Sequence, residues 1–223
     1  SSARRRTLTP PPISSPTAEG GGLPEGQIRL LIDRFATREN ILSHLQQVAD
    51  LAGPEDVILL YFSGHGIPGA LVPVDYQKTA ASSLAYRDIF KVMGSSAAQR
   101  RLLLIDACHS GSVQDLQVPD PSKSGEIKLP ASSGWTVSLA SSKAEEVSFE
   151  IGGFQQGQLS YYLRQALTGQ ADQAAHKGNQ DGWVDLDELF QYTIYNTKKS
   201  SFGKQNPQII GSYDKQFRMA RVR

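Results

Sequence analysis

The chain of 223 residues holds a single cysteine, Cys108. One thiol cannot close an internal disulfide, so the fold must rest on burial and hydrogen bonding, and a reducing, cytoplasmic setting is expected. An excess of charge is missing too: 23 Lys and Arg stand against 22 Asp and Glu. That near-balance argues against nucleic acid or an anionic membrane as a partner. No stretch approaches the ~18 uninterrupted apolar residues of a membrane span. The opening SSARRRTLTPPP puts basic residues before no apolar stretch, so it does not read as a secretory signal. An initiator Met is also absent, which fits a processed fragment. Apolar residues still make up 39% of the chain, enough for a core without metal or disulfide staples at this length.

Residues 1–27, with PPP at 10–12 and GGG at 20–22, are expected to form a flexible N-terminal arm. IRLLI (28–32) reads as a short strand. A helix from Thr37 to Leu51 follows, with Thr37 as its cap, Ile41, Leu42, Leu45 and Val48 on one face and His44 on the surface beside them. VILLYF (57–62) is too short for a helix and reads as a strand buried on both faces, and LLLI (102–105) repeats it. YRDIFKVMG (86–94) is a helix between them. This alternation implies parallel βαβ units with helices on both faces. Residues 112–134 lose all periodicity and gather Pro, Ser and Gly, as a linker does. WTVSLAS (135–141) is a further strand, 157–169 and 185–199 are helices, the latter capped by Asp185, and PQIIGSY is an edge segment. The class is α/β.

In an open α/β sheet, functional side chains collect past the carboxyl ends of the strands. Two strands here end alike, in SGHG and in DACHSG. The first delivers His65 between Gly64 and Gly66. The second delivers Cys108 between Ala107 and His109, 43 positions later. A thiol needs a base or imidazolium beside it to act near neutral pH. If the two strands are neighbours, their tips supply that pairing. Alone, each motif would be a turn or a packed cysteine; at matching strand ends they make a nucleophile and a base.

SGHG, LVPVD (71–75), DACHSG, the GQLSYYLRQALTG helix and NQDGWVDLDELFQY, taken in this order, resemble the caspase-like superfamily, specifically its metacaspase and bacterial orthocaspase branch. The resemblance covers residues 28–217. It implies a three-layer sandwich with a mostly parallel central sheet. Residues 28–111 would be a large-subunit-like part with His and Cys, 112–134 a linker and processing region, and 135–223 a small-subunit-like part. It also implies a first apolar strand and helix ahead of residue 28, and residues 1–27 carry neither, so that strand is missing from this chain.

The same resemblance makes Cys108 the nucleophile and His65 the general base and acid of a cysteine endopeptidase, with the N–H groups of Gly66 and Cys108 as the oxyanion hole. It puts Asp106 in the pocket for the residue before the cut, where a carboxylate favours Arg, which it can hold bidentately, and also Lys. The bland alternative for Asp106 is a cap or turn residue at a strand end. Ser63 would line the same pocket. Protein or peptide substrates with Arg or Lys before the cut are then expected, and Lys123 and Lys128 become self-cleavage candidates, as does Arg4-Arg5-Arg6. Monomer and fragment pair are both compatible with this reading. No cofactor is required. KGNQDGWVDLDE (177–188) lines up in part with a calcium loop, but Lys177 replaces the first acidic ligand, so a Gly turn before a capped helix is the simpler reading and calcium is left open as an activator. Two other functions are weighed: a non-catalytic caspase-like module that binds peptides or partners, and an unrelated thiol enzyme on an α/β scaffold.

Overall fold

The computed structural model describes residues 23–107, 134–141 and 157–222. Its central sheet grows from the apolar runs. β1 (Val57–Ser63) and β5 (Arg100–Asp106) pair in parallel, Val57 opposite Arg100 and Ser63 opposite Asp106. β6 (Trp135–Ala140) joins β5 in parallel, and β8 (Gln208–Gly211) runs antiparallel to β6, so the order is β1-β5-β6-β8. The pairing of β5 with β6 makes one sheet out of residues from both expected subunit-like parts.

Helices α1 (Arg38–Leu51) and α2 (Tyr86–Gly94) cover one face of the sheet, and α3 (Gln158–Gln165) and α4 (Leu186–Ser200) the other. Successive strand side chains point to opposite faces, and β5 shows it cleanly. Leu103 and Ile105 pack with Ile41, Leu45, Ile89 and Met93, while Leu102 and Leu104 pack with Leu159, Leu163, Leu189 and Phe190. Covered twice, β5 has to be apolar throughout its centre, which is why LLLI shows no alternation. Each such buried Leu or Ile contributes about 1.5–3 kcal/mol relative to an exposed one.

The helix starts follow their capping chemistry. Thr37 Oγ1 accepts the Asn40 N–H at 3.2 Å at the head of α1. Asp185 accepts the Glu188 N–H at 2.8 Å, and the Glu188 carboxylate accepts the Asp185 N–H at 3.2 Å, a reciprocal cap on α4. The expected 157–169 helix is α3 followed by a wider turn, Ala166–Gln170, in which Gly169 adopts φ +103°. Short pairings too brief to read from sequence complete the chain. β2 (His65–Ile67), β3 (Ala70–Val72) and β4 (Leu84–Ala85) form an antiparallel meander, and β7 (Trp183–Asp185) pairs with β9 (Arg218–Arg221).

Two expectations are corrected. IRLLI (28–32) is not a strand: it runs without a ladder, leaves Leu30 and Ile32 exposed, and ends in a tight turn at Asp33–Phe35. An extended apolar run becomes a strand only against a partner, and among the described residues β1 pairs with β5 alone. For the same reason β1 is not buried on both faces. Ile58 is fully buried, but Leu59 and Tyr61 are 39% and 48% exposed on the face that α3 and α4 cover over β5 and β6. The 112–133 part of the expected linker and residues 1–22 of the expected arm lie outside the described residues. No described helix is long and apolar enough to cross a membrane.

Candidate active site

β1 ends at Ser63, directly opposite Asp106 at the end of β5. The Gly64 N–H then donates to the Asp106 carbonyl at 3.1 Å, extending the contact one residue beyond the ladder. The next residue, His65, opens β2 and pairs with Val72, so the meander fixes its backbone while its side chain stays exposed. Gly66 follows, opposite Leu71. A turn through Gly69 at φ +79° closes this hairpin. Ser63, His65, Gly66 and Asp106 are therefore gathered at one corner of the sheet. Cys108, and with it the second oxyanion donor, lies just outside the described residues, as do Lys123, Lys128 and Arg4-Arg5-Arg6.

The residue before Cys108 is described, and it is held tightly. Ser141, fully buried just past the end of β6, accepts the Ala107 N–H at 3.0 Å and donates to the Ala107 carbonyl at 2.9 Å through the same hydroxyl. The Ser141 N–H in turn donates to the Ile105 carbonyl at 2.9 Å. The tips of β1, β5 and β6 are thus tied together by main-chain and hydroxyl bonds rather than by packing alone.

Asp106 is 4% exposed and shares the α3 side of the sheet with Leu104. Its Oδ2 accepts the Ser160 N–H at 2.9 Å and the Ser160 hydroxyl at 2.5 Å. Ser160 is the third residue of α3, and the residue that starts the helix, Gly157, has no side chain with which to cap it. A Cβ on Gly157 would stand 2.1 Å from Asp106 Oδ2. The carboxylate occupies the place where an N-cap side chain would sit and satisfies an end N–H of α3 from another strand. Asp106 is thus a cap, as its bland alternative suggested, and the helix it caps borders the same corner as His65. Tyr61, two residues before Ser63 and on the same side of β1, reaches Ser160 Oγ at 2.7 Å.

Ser160, Tyr61, Ser141 and Gly157 were not among the residues singled out from the sequence. For Ser160 a signal existed: a helix beginning GQLS has no capping residue of its own, so an acceptor had to come from elsewhere. In the 177–188 loop the acidic side chains accept backbone N–H groups. Asn179 N–H donates to Glu188 at 2.8 Å and Trp183 N–H to Asp181 at 2.9 Å. Asp172 takes the N–H groups of Asp181 and Gly182 at 3.1 and 3.2 Å. Burial raises the Asp185 and Glu188 carboxyls above their usual range, partly offset by the N–H groups of Glu188 and Asp187 on Asp185 and of Asn179 and Asp185 on Glu188. Among the described residues no group of three or more His, Cys, Asp or Glu is placed to hold a metal ion.

Comparison with known proteins bears on the family and the fold. A caspase-domain family model matches residues 27–218. Metacaspase-5 of Trypanosoma brucei brucei is 35% identical over 94 residues, covering 36% of this chain and 18% of the relative. Metacaspase-2 of Trypanosoma brucei brucei (strain 927/4 GUTat10.1) is 30% identical over 122 residues, covering 45% and 35%. A protein named inactive metacaspase-4, also of Trypanosoma brucei brucei, is 32% identical over 106 residues, covering 40% and 30%. The chain spans only 18% to 35% of the length of these relatives. Among solved structures, protein GSU0716 from Geobacter sulfurreducens aligns with a TM-score of 0.55 over 86% of this chain and 82% of that one, at 15% identity. That likeness is one of fold.

Proposed function

Because the chain belongs to the caspase-domain family of cysteine peptidases, we propose that it hydrolyses peptide bonds after Arg or Lys, with Cys108 as nucleophile and His65 as general base and acid. The observation that carries this reading is the Ser63–Asp106 register, continued by the Gly64 N–H on the Asp106 carbonyl. It sets His65, two residues past Ser63, on the strand tip adjoining the one that leads into Cys108, two residues past Asp106.

In the proposed mechanism the His65 imidazole takes the proton of the Cys108 thiol, and the thiolate attacks the carbonyl carbon of the scissile bond. Negative charge then grows on the carbonyl oxygen, where the N–H groups of Gly66 and Cys108 would act as fixed donors. His65 returns its proton to the leaving amine, and the C–N bond breaks. Water, deprotonated by His65, attacks the thioester, and the acid product leaves with the thiol restored. Asp106 and Ser63 receive the basic side chain of the residue before the cut. Lys123 and Lys128 are proposed self-cleavage positions.

A fluorogenic assay with Arg, Lys and Asp peptides tests the reading, using wild type, Cys108→Ala and His65→Ala. Cleavage of the basic peptides that disappears in both variants is expected. Cleavage of Asp peptides instead would overturn the role of Asp106. A folded wild type that cleaves nothing yet binds basic peptides would favour the non-catalytic module, the reading to which a relative named as inactive lends weight. Intact mass after incubation, with Cys108→Ala alongside, tests self-cleavage.

A further inference from the structure

The near-balance of charge over the whole chain hides a local excess. Between Glu188 and Asp214 there is no Asp or Glu, while Lys198, Lys199 and Lys204 fall in that interval. All three are exposed, and among the described residues none has a carboxylate partner. Tyr195, Lys198, Lys199 and Phe202 follow the three- and four-residue spacing that sets side chains on one helix face. The opposite face of the same turns, Thr193, Thr197 and Ser201, is buried. Tyr195 is 61% exposed, with Lys199 Nζ 5.7 Å from its ring centroid. Phe202, just past the end of α4, is 92% exposed.

A fixed turn holds Phe202 out. Its φ is +53°, a left-handed conformation that bulky side chains rarely adopt, and Gly203 follows at +76°. The Lys198 carbonyl accepts the Gly203 N–H at 2.8 Å, and the Lys199 carbonyl accepts that of Phe202 at 3.2 Å. Beneath them the buried Ser201 hydroxyl accepts the Gln205 N–H at 3.0 Å. A lone exposed apolar residue needs no explanation. An aromatic in a strained turn, ringed by unpaired lysines and left in water, points to a partner outside the chain.

We propose that this tip docks on an anionic lipid bilayer. Phe202 enters the acyl boundary, Tyr195 sits at headgroup level, and the lysines meet the phosphates. Charge complementarity selects an anionic partner, and shape selects a bilayer over a folded protein. A stable protein interface covers roughly 800 Å² on each partner with close complementarity. A projecting turn with one aromatic at its apex offers little of that, whereas fluid lipid closes around it. Lysine also suits a headgroup layer, since its stem follows apolar surface while its ammonium stays hydrated. The Ser200 hydroxyl donates to Gln158 at 3.3 Å, so the tip lies beside the start of α3, the helix that Asp106 caps. A bilayer there would border the peptidase corner and favour substrates held at a lipid surface; that consequence, unlike lipid binding itself, rests on the peptidase reading.

The test is flotation of the full Cys108→Ala chain, in which no self-cleavage intervenes, with two kinds of vesicle. One is phosphatidylcholine alone and the other adds phosphatidylserine. Association is expected with the mixed vesicles only, reversible and of the order set by one myristoyl chain, ~10⁴ M⁻¹. It should fall as salt rises. Phe202→Ala should weaken it about tenfold. Lys198→Glu with Lys199→Glu should weaken it by more than about twentyfold, since each lysine near the surface contributes about fivefold. These side chains are exposed, so the urea midpoint should hold in each variant, which separates lost binding from lost folding. Phe202→Trp reports depth: its added emission, over that of Trp135 and Trp183, should shift to the blue and be quenched by brominated acyl chains. No association of the native tip with mixed vesicles, association that Phe202→Ala leaves unchanged, or a tryptophan at 202 that stays in water overturns the proposal. Equal binding to soluble polyglutamate, insensitive to Phe202→Ala, would assign an acidic protein as the partner and overturn it too. Peptide cleavage with Cys108 intact is measured separately, so the peptidase reading and lipid docking can fail independently.

Discussion

The Ser141 hydroxyl bonds both polar groups of Ala107, accepting its N–H at 3.0 Å and donating to its carbonyl at 2.9 Å. Ala107 precedes Cys108, so a side chain on β6's end fixes the main chain from which the proposed nucleophile emerges. Ser141→Ala removes both bonds in a fully buried setting, at a cost of about 1–3 kcal/mol. Urea unfolding should register that loss. The rate of basic-peptide cleavage should fall further than the folded fraction does; a rate that merely follows the folded fraction would limit Ser141 to a stabilising role.

Gly157 has no room for a side chain. Its added Cβ would meet Asp106 Oδ2 at 2.1 Å and Cγ at 2.6 Å, and Asp106 is buried with its oxygen committed to Ser160. Overpacking of this kind costs about 1–3 kcal/mol. Gly157→Ala should therefore lower the unfolding midpoint and weaken binding of basic ligands together. Gly26→Ala, where nothing lies within 4 Å of the new carbon, is the matched control and should change neither.

How far the sequence could be read depended on whether a feature was local. The caps at Thr37 and Asp185 and the continuous apolar run of β5 are properties of short segments, and they emerged as expected. Residues 28–32 and β1 were misjudged because strand formation and two-sided burial depend on what lies beside a segment, and apolar content alone does not reveal a neighbour. The corner of the site divides in the same way. The strand ends at Ser63 and Asp106 were visible in SGHG and DACHSG. The capping of α3 by Asp106, across 54 residues of sequence, was not, because no local pattern records which distant carboxylate a helix end will meet.

Tyr213 should make stability fall at high pH. Burial, then the bond its hydroxyl donates to Asp187 at 2.9 Å, pushes its pKa up to about 12 from 10.0. A folded-state pKa above the unfolded one means the contribution is complete below pH 10 and is lost as pH rises through about 12. The partial exposure of the ring screens the effect, so its size should be modest. Denaturant midpoints of wild type and Tyr213→Phe across this range isolate it. The gap between the two should narrow toward pH 12, and a gap that stayed constant would remove the titration from the account.

The loop at 177–188 makes a sharp prediction about calcium because its carboxylates have other work. Glu188, at the position of the last calcium ligand, accepts the N–H groups of Asn179 and Asp185 through its two oxygens. Asp181 accepts from Trp183 and faces Arg218 at 3.5 Å. Gly182, at φ +82°, turns the chain so that its own N–H reaches Asp172. A calcium ion takes 6–8 oxygens, so binding here would require breaking several of these bonds at once, each worth about 0.5–1.5 kcal/mol. Adding calcium should consequently produce no stabilisation that depends on this loop, whereas Asp172→Ala, which strips two N–H acceptors from a buried position, should lower the unfolding midpoint whether calcium is present or not. A calcium-induced rise in the midpoint that vanished in Glu188→Gln would show instead that the ion outcompetes the backbone donors, and the loop would then be a metal site held closed by its own N–H groups until calcium arrives.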